Sequence, residues 1–284
     1  MAVPDYLLIG HATADLTPDG RLLGGTVSYA ARVIHSFGLS VGILTSAAPH
    51  EPLLEQLKPY VSELVVIPAA SISTFENIYQ PTGRVQYLRD VASKITAADI
   101  PEHWLAVPLV HLAPLTDEVD PHIAHHFPDA TVMLTLQGWL RRWDSDGRVR
   151  FKRWFDPDVL RDIDIVVFSE EDVAESPELE QEFAGAVRHL FVTRAEKGGT
   201  YYHNGVPTKY TTPQVELLHP TGAGDVFAAA LLSALHMLPN NFDAAIKVAA
   251  QLAATSVTRV GLDSAPTPAE VQRALKEVGH HAPH

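Results

Sequence analysis

The chain has 284 residues, with 34 acidic against 21 basic side chains, a net charge of −13 and no cysteine. That balance, with no basic block to meet a phosphate backbone, excludes a nucleic-acid partner, and the lack of thiols excludes disulfides and thiolate metal sites. Hydrophobic residues make up 46%, ample for one large α/β domain. No apolar run approaches the roughly 18 residues of a membrane span and the start lacks a basic leader, so a soluble, cytoplasmic protein is expected.

Tyr6-Leu7-Leu8-Ile9-Gly10 is a short, continuous apolar run of the kind that forms a buried parallel strand. It leads to Asp15, past the carboxyl end of a first strand, where open α/β sheets bind ligands. Position alone leaves a turn-capping role equally open. Thr17-Pro18-Asp19-Gly20 reads as a turn. Gly24-Gly25 feeds a helix whose Val27, Ala30, Ala31, Ile34 and Phe37 share one face and which Gly38 closes. Strands follow at 41–45 and 63–67. Alternation on either side of Gln80-Pro81-Thr82-Gly83 predicts a β-hairpin, polar and half-exposed, more suited to a lid than to a core.

Further strands are expected at 109–112 and 130–135. His122, His125 and His126 lack the spacing of a zinc helix and read as surface. The segment Leu136 to Asp144 is aromatic and basic; Gln137 is placed to face the crevice at a strand's carboxyl end. Arg141 or Arg142 would meet a phosphate or sugar hydroxyls there, or form a surface pair with Asp144 or Asp146. A strand at 164–168 runs into Ser169-Glu170-Glu171-Asp172. That cluster suits either a hydrated Mg²⁺ or a helix start capped by Ser169. A strand ending at Thr193, a hairpin over 200–210, and helices over 242–259 and 268–278 complete the chain. Such β/α alternation predicts a doubly wound, mostly parallel central sheet flanked by helices, as a single domain over 1–284.

Near the end lies His219-Pro220-Thr221-Gly222-Ala223-Gly224-Asp225, running straight into an Ala/Leu-rich helix. A helix N-terminus presents unpaired N–H groups and the positive end of the macrodipole, and Gly and Ala let a phosphate approach closely. A carboxylate beside a polyphosphate meets like charge, which makes sense if Asp225 takes a proton from an attacking hydroxyl; as a bare G-x-G-D the motif equally suits a structural turn. The longer string T-G-A-G-D-x-F-x-A-A resembles the C-terminal signature of the PfkB, or ribokinase-like, carbohydrate kinase family. Gly24-Gly25 and its helix resemble that family's N-terminal pattern. Thr193 to Gly198 resembles its T-x-G-x-x-G turn, with Ala195 for the first Gly.

The resemblance implies a ribokinase-like fold with a small β lid from about 15–25 and 72–90. It implies ATP and Mg²⁺ as cofactors and phosphorylation of a hydroxyl of a sugar or polyol. A nucleoside kinase, or a catalytically silent ligand-binding relative, is the alternative. Asp225 would be the general base, with Gly222, Ala223 and Gly224 as the anion hole. Asp15, Gly24 and Gly25 would hold the acceptor, joined by Asn77 and Arg84 from the lid and by Gln137 and Arg142. Thr193, Gly198, Thr221 and Gly224 would lie along the donor, and Ser256 would border its adenine. Asp172, or Glu171 if the register slips by one, would act on Mg²⁺ through water. Tyr29 stands near where the family often has a sugar-contacting Asn, which favours an inositol-like polyol over ribose. His219 replaces an Asp that many relatives use beside a monovalent cation, so K⁺ activation is expected to be weak or absent. The lid implies a possible homodimer. A nicotinamide dehydrogenase is disfavoured because no G-x-G-x-x-G follows the first strand.

Overall fold

The apolar run at the N-terminus becomes the middle of a nine-stranded sheet. In the computed structural model, which describes residues 2–80 and 83–279, β1 (Tyr6–Ile9) is fully buried and pairs in parallel with strands on both sides. Side chains alternate across a strand. Tyr6 and Leu8 therefore join the core on one face, with Ile34, Val226 and Leu231, while Leu7 and Ile9 join the other, with Trp104, Trp139 and Phe183. Burial on both faces is why the run is continuously apolar.

In chain order, β1 is followed by β2 (Thr13–Thr17), β3 (Gly20–Gly24), α1 (Thr26–Ser36), β4 (Val41–Ala47), β5 (Glu63–Pro68), β6 (Ser73–Gln80) and β7 (Gly83–Asp90). Then come β8 (Leu109–Leu112), β9 (Thr131–Thr135), β10 (Arg141–Trp143), β11 (Val149–Phe151), α2 (Pro157–Leu160), β12 (Ile165–Ser169) and α3 (Leu179–Ala186). The chain ends with β13 (His189–Thr193), β14 (Gly199–His203), β15 (Val206–Tyr210), α4 (Ala223–Met237), α5 (Phe242–Ser256) and α6 (Pro268–Gly279). The large sheet has the order β15-β14-β13-β12-β9-β8-β1-β4-β5, parallel from β13 to β5 and antiparallel at the β14 and β15 edge. The chain passes to one side of β1 with β4 and β5, then returns to the other side at β8. β1 thus marks the switch point, and the crevice at its carboxyl end is where such sheets take ligands.

Four strands form a second sheet, β3-β2-β6-β7, antiparallel except where β2 runs parallel to β6. β2 and β3 supply two of its strands and β6 and β7 the other two. The β10–β11 hairpin continues it: Leu88 N donates to Gly147 O (2.8 Å), and Tyr87 bridges Arg148. The stretch after β12 differs from the helix start that was one expectation. Asp172 Oδ2 accepts from Ser169 N (2.9 Å) and Ser169 Oγ accepts from Glu171 N (3.1 Å), which closes a turn. Pro177 soon follows, and α3 begins beyond it at Leu179. The histidines of 121–126 lie in a 3₁₀ turn, and no group of three metal-capable side chains exists among the described residues. The histidines of the C-terminal tail lie outside the described residues. No described helix is long and apolar enough to cross a membrane.

The roots of the second sheet are tied to the first by a buried carboxylate. Glu118, 1% exposed, accepts from His11 N (2.9 Å), Leu115 N (2.9 Å) and Thr116 N (2.7 Å). His11 in turn donates from Nε2 to Ser93 O (2.8 Å), and Ser73 Oγ bonds its Nδ1 (2.7 Å). Residues at the start of β6, beyond the end of β7 and before β2 thus share one imidazole. Glu118→Ala would strand three backbone donors. It should cost about 3 kcal/mol, since each buried donor left unsatisfied costs about 1–3 kcal/mol before water or relaxation compensates. Differential scanning calorimetry should show a fall in melting temperature of roughly 6 °C or more; an unchanged melting temperature would contradict the role.

Candidate active site

Two helices begin at the crevice, each after a glycine with left-handed backbone. Gly25 (φ 88°) precedes α1, and a Cβ there would fall 2.7 Å from His11 O. Gly222 (φ 87°) precedes α4, and a Cβ there would drive into the ring of Tyr29. The Tyr29 ring is buried beneath the α4 turn and needs the hydrogen of Gly222 to be there. Gly24 lies against the carboxylate of Asp15, which β2 presents on the same face of the small sheet as Phe75 of β6. Side chains larger than hydrogen are excluded at all three glycines.

Of the backbone donors at the start of α4, Ala223 N bonds Pro220 O (3.3 Å). The N–H groups of Gly222, Gly224 and Asp225 make no hydrogen bond among the described residues, and Gly224 is exposed with open space around it. Among the described residues, the donors left open to a ligand are therefore the N–H groups of Gly222, Gly224 and Asp225, with that of Ala223 largely taken up by its own turn.

Asp225 sits three residues into the α4 cap, half-buried, and its Oδ1 accepts from Thr26 Oγ1 (2.7 Å). Burial pushes its carboxyl up to about 6. The Thr26 hydrogen bond and the Arg141 guanidinium pull it down, and the charges of Asp172 and Asp15 push it further up. Five side chains from five segments thus act at one point. The Tyr29 hydroxyl is held well above its ordinary range by burial and then by Asp225 and Asp15, so it stays protonated.

The arginine here is Arg141. Its Nη1 is 3.5 Å from Leu115 O and its guanidinium 5.8 Å from the Phe75 ring centre. Arg142, expected to bind substrate, points the other way: it is exposed and pairs with Asp144 (3.4 Å). Successive residues of β10 face opposite sides, so only one could enter the crevice. Gln137 reaches the site but its amide donates to Asp172 Oδ1 (3.0 Å). Glu171 is exposed beside it. Asn77 shares the inner face of β6 with Phe75, and its Oδ1 accepts from Gln86 (3.1 Å). Phe75, Leu88 and Leu115 close an apolar seam between the two sheets. The Arg84 side chain lies outside the described residues.

Of the residues expected along the donor, Thr193 ends β13 and its carbonyl accepts from Glu170 N (3.0 Å). Gly198 (φ 86°) closes the next turn, where Arg194 N donates to Gly198 O (2.8 Å). Arg194 itself is engaged by Glu170 (2.8 Å) and Glu180 (2.6 Å). Thr221 is half-buried just before Gly222. Ser256 does not line a surface as expected. It is 2% exposed, and its hydroxyl donates to Ala253 O (2.8 Å). Leu218 N and His219 N both bond Val257 O (2.9 and 3.0 Å), laying the chain over that end of α5.

Residues 160–270, which hold the Gly198 and Gly222 turns, match the family model for the pfkB family carbohydrate kinases. Over these residues the chain is similar to that family. A cytidine kinase of Thermococcus kodakarensis is 24% identical to this chain over 256 residues, 81% of this chain and 87% of that protein. Among solved structures, a pyrophosphate-dependent kinase in the ribokinase family, complexed with a pyrophosphate analog and myo-inositol, superposes with a TM-score of 0.77 at 18% identity, covering 94% of this chain and 99% of that one. A ribokinase of Thermotoga maritima gives 0.76 at 18% identity, covering 97% and 100%. These likenesses establish a ribokinase fold for the chain, with its additional small sheet.

Thr26 and Arg141 contribute to the site without having been singled out with the signature motifs. Thr26 follows Gly24-Gly25 directly, and that adjacency was the available signal. The folded pKa of Asp225 (about 6) lies above its ordinary 3.8. The group therefore costs the folded state increasing stability as pH rises through this interval, and the cost is complete above it. Asp225→Asn should raise the melting temperature, more at pH 7.5 than at pH 5. Equal melting curves at pH 7.5 would show that burial does not strain this carboxylate.

Proposed function

We propose that this kinase transfers the terminal phosphoryl group of ATP to a hydroxyl of a sugar, polyol or nucleoside, with Asp225 as general base. What carries this reading is the Asp225 carboxylate itself: half-buried, raised to about 6, and set among free N–H groups at the start of α4. An ordinary carboxylate near 4 is a weak proton acceptor; one near 6 is still ionised at neutral pH and holds a proton better. The acceptor hydroxyl would lie between Asp15 and Asp225. The N–H groups of Gly222 and Gly224, at the positive end of α4, would stabilise charge on the transferring group. The small sheet would act as a lid, its Phe75 seam keeping water from competing for the phosphoryl.

A Mg²⁺ ion near Asp172 would supply the charge neutralisation that phosphoryl transfer requires. No carboxylate cage exists for it among the described residues. Asp172 is the group at hand and suits a hydrated ion held mainly by phosphates, a mode common for Mg²⁺. Tyr29, near where the family often has a sugar-contacting Asn, favours an inositol-like polyol over ribose; the cytidine kinase relative keeps nucleosides in view. A second reading concerns the donor. The surface expected to border adenine is covered by the 218–219 backbone, and Ser256 is turned inward. Pyrophosphate, the donor of the structural neighbour, would need none of that surface.

A donor-consumption screen with Mg²⁺ against inositols, ribose, fructose and cytidine, run with ATP and with pyrophosphate, tests both readings. Turnover with one acceptor should fall about 10²–10⁴-fold in Asp225→Ala, the usual loss for a general base. A variant with undiminished kcat would sink the assignment. Turnover with pyrophosphate and none with ATP would decide for the second donor. For the active pair, kcat/KM should decline as pH falls through about 6, because the base must be ionised.

A further inference from the structure

We infer that Thr26 is a positioning residue for the reaction: its hydroxyl holds one oxygen of Asp225 so that the other faces the acceptor. This rests on the reading of Asp225 as the base. Thr26 is 3% exposed at the first position of α1. A buried hydroxyl must find a partner. Thr26 caps nothing in its own helix: the cap residue Gly25 has no side-chain bond, and the nearby Gly24 carbonyl is taken by Ser28 Oγ (2.6 Å). Its one hydrogen bond crosses to the first turn of α4, to Asp225 Oδ1 at 2.7 Å. Among the described residues no hydrogen bond reaches Asp225 Oδ2.

The consequence is both geometric and electrostatic. A carboxylate rotates about its last torsion unless one oxygen is fixed. With Oδ1 fixed, Oδ2 keeps one direction into the crevice. A hydroxyl donating to a carboxylate also favours its ionised form. The other groups facing Asp225 are Asp15 from β2, Arg141 from β10, Asp172 from the turn after β12 and Tyr29 from α1. The two carboxylates and burial raise its proton affinity, so Thr26 and Arg141 are what keep the base ionised near neutrality. Arg141 stands on a hairpin tied to the small sheet, whereas Thr26 belongs to the main body.

The test is Thr26→Val, which keeps the shape and removes the donor, beside Thr26→Ser, which keeps the donor. Each protein, labelled with ¹³Cγ-aspartate, is titrated by NMR without any substrate, and Asp225→Asn identifies the Asp225 resonance. The Val variant should titrate about one pH unit higher than wild type, the size expected for a hydrogen bond to a charged group. The Ser variant should titrate with wild type. With the acceptor found in the screen, kcat/KM of the Val variant at pH 6 should fall about fivefold from the lost ionised fraction alone, and its acidic limb should move up with the NMR midpoint. Thermal melts establish that each variant is folded; if Val is not, Ser and Ala carry the comparison. An Asp225 midpoint and a pH limb that stay in place in a folded donor-less variant would overturn the inference, even where Asp225→Asn is inactive. Retained kcat in Asp225→Asn would instead overturn the base reading on which it rests.

Discussion

Two helix N-termini are brought face to face, and most of what is distinctive in this structure follows from that constraint. α1 and α4 both start at the carboxyl end of the central strands, one after Gly25 and one after Gly222. Each carries partial positive charge at its start, so together they form a place suited to anions. To pack this closely the chain gives up side chains at both caps, and Tyr29 fills the space that Gly222 leaves. The Thr26–Asp225 hydrogen bond then joins the two first turns side chain to side chain.

The fold has to be rigid beneath that meeting point. α4 is apolar nearly all round because it lies between the sheet, α1 and α5, with Phe227 through Leu232 almost fully buried. The crevice above it is polar and crowded with charge. Asp15, Asp172 and Asp225 repel one another, and Arg141 is the counter-charge acting on Asp225. That arrangement costs folding stability, and the apolar cores on both faces of the sheet offset it. A site that stores like charges without a ligand is poised for a bound cation or for proton uptake, and proton uptake by Asp225 is the chemistry proposed.

The sequence made the frame legible because the frame is written locally. Short continuous apolar runs bounded by turn residues suit strands buried on both faces, and β1, β8 and β12 lie where those runs predict them. The turn at 221–225 marked a candidate anion site through the longer T-G-A-G-D-x-F-x-A-A string, since a bare G-x-G-D suits a structural turn equally well. What was not legible depends on direction in space. Arg141 and Arg142 are adjacent and chemically identical, and only the pairing of β10 with β11 decides which one enters the crevice. Ser256 sits at the expected helix end, yet its hydroxyl has a carbonyl within its own turn and needs no ligand. Thr26 and Asp225 are 199 residues apart in sequence, and Glu118 reads as one more surface acid until its three backbone donors are seen.

The position of Arg141 also connects chemistry to the small sheet. β10 carries Arg141 at its start, and the hairpin's Gly147 and Arg148 continue the ladder of β7 through Leu88 and Tyr87. A Cβ at Gly147 would meet Leu88 O, so that close pairing depends on the glycine. Arg89 strengthens the seam, reaching Glu76 within the sheet and Asp146 O in the hairpin (3.3 Å). Thr26 belongs to the main body, on the first turn of α1. The two groups that favour ionised Asp225 are thus mounted differently: Thr26 stands on a core helix, and Arg141 on a hairpin that joins the small sheet while its guanidinium reaches Leu115 O of the main body. The charge facing Asp225 therefore depends on how the small sheet and the main body meet, whereas the hydroxyl on its Oδ1 depends only on the packing of α1 against α4.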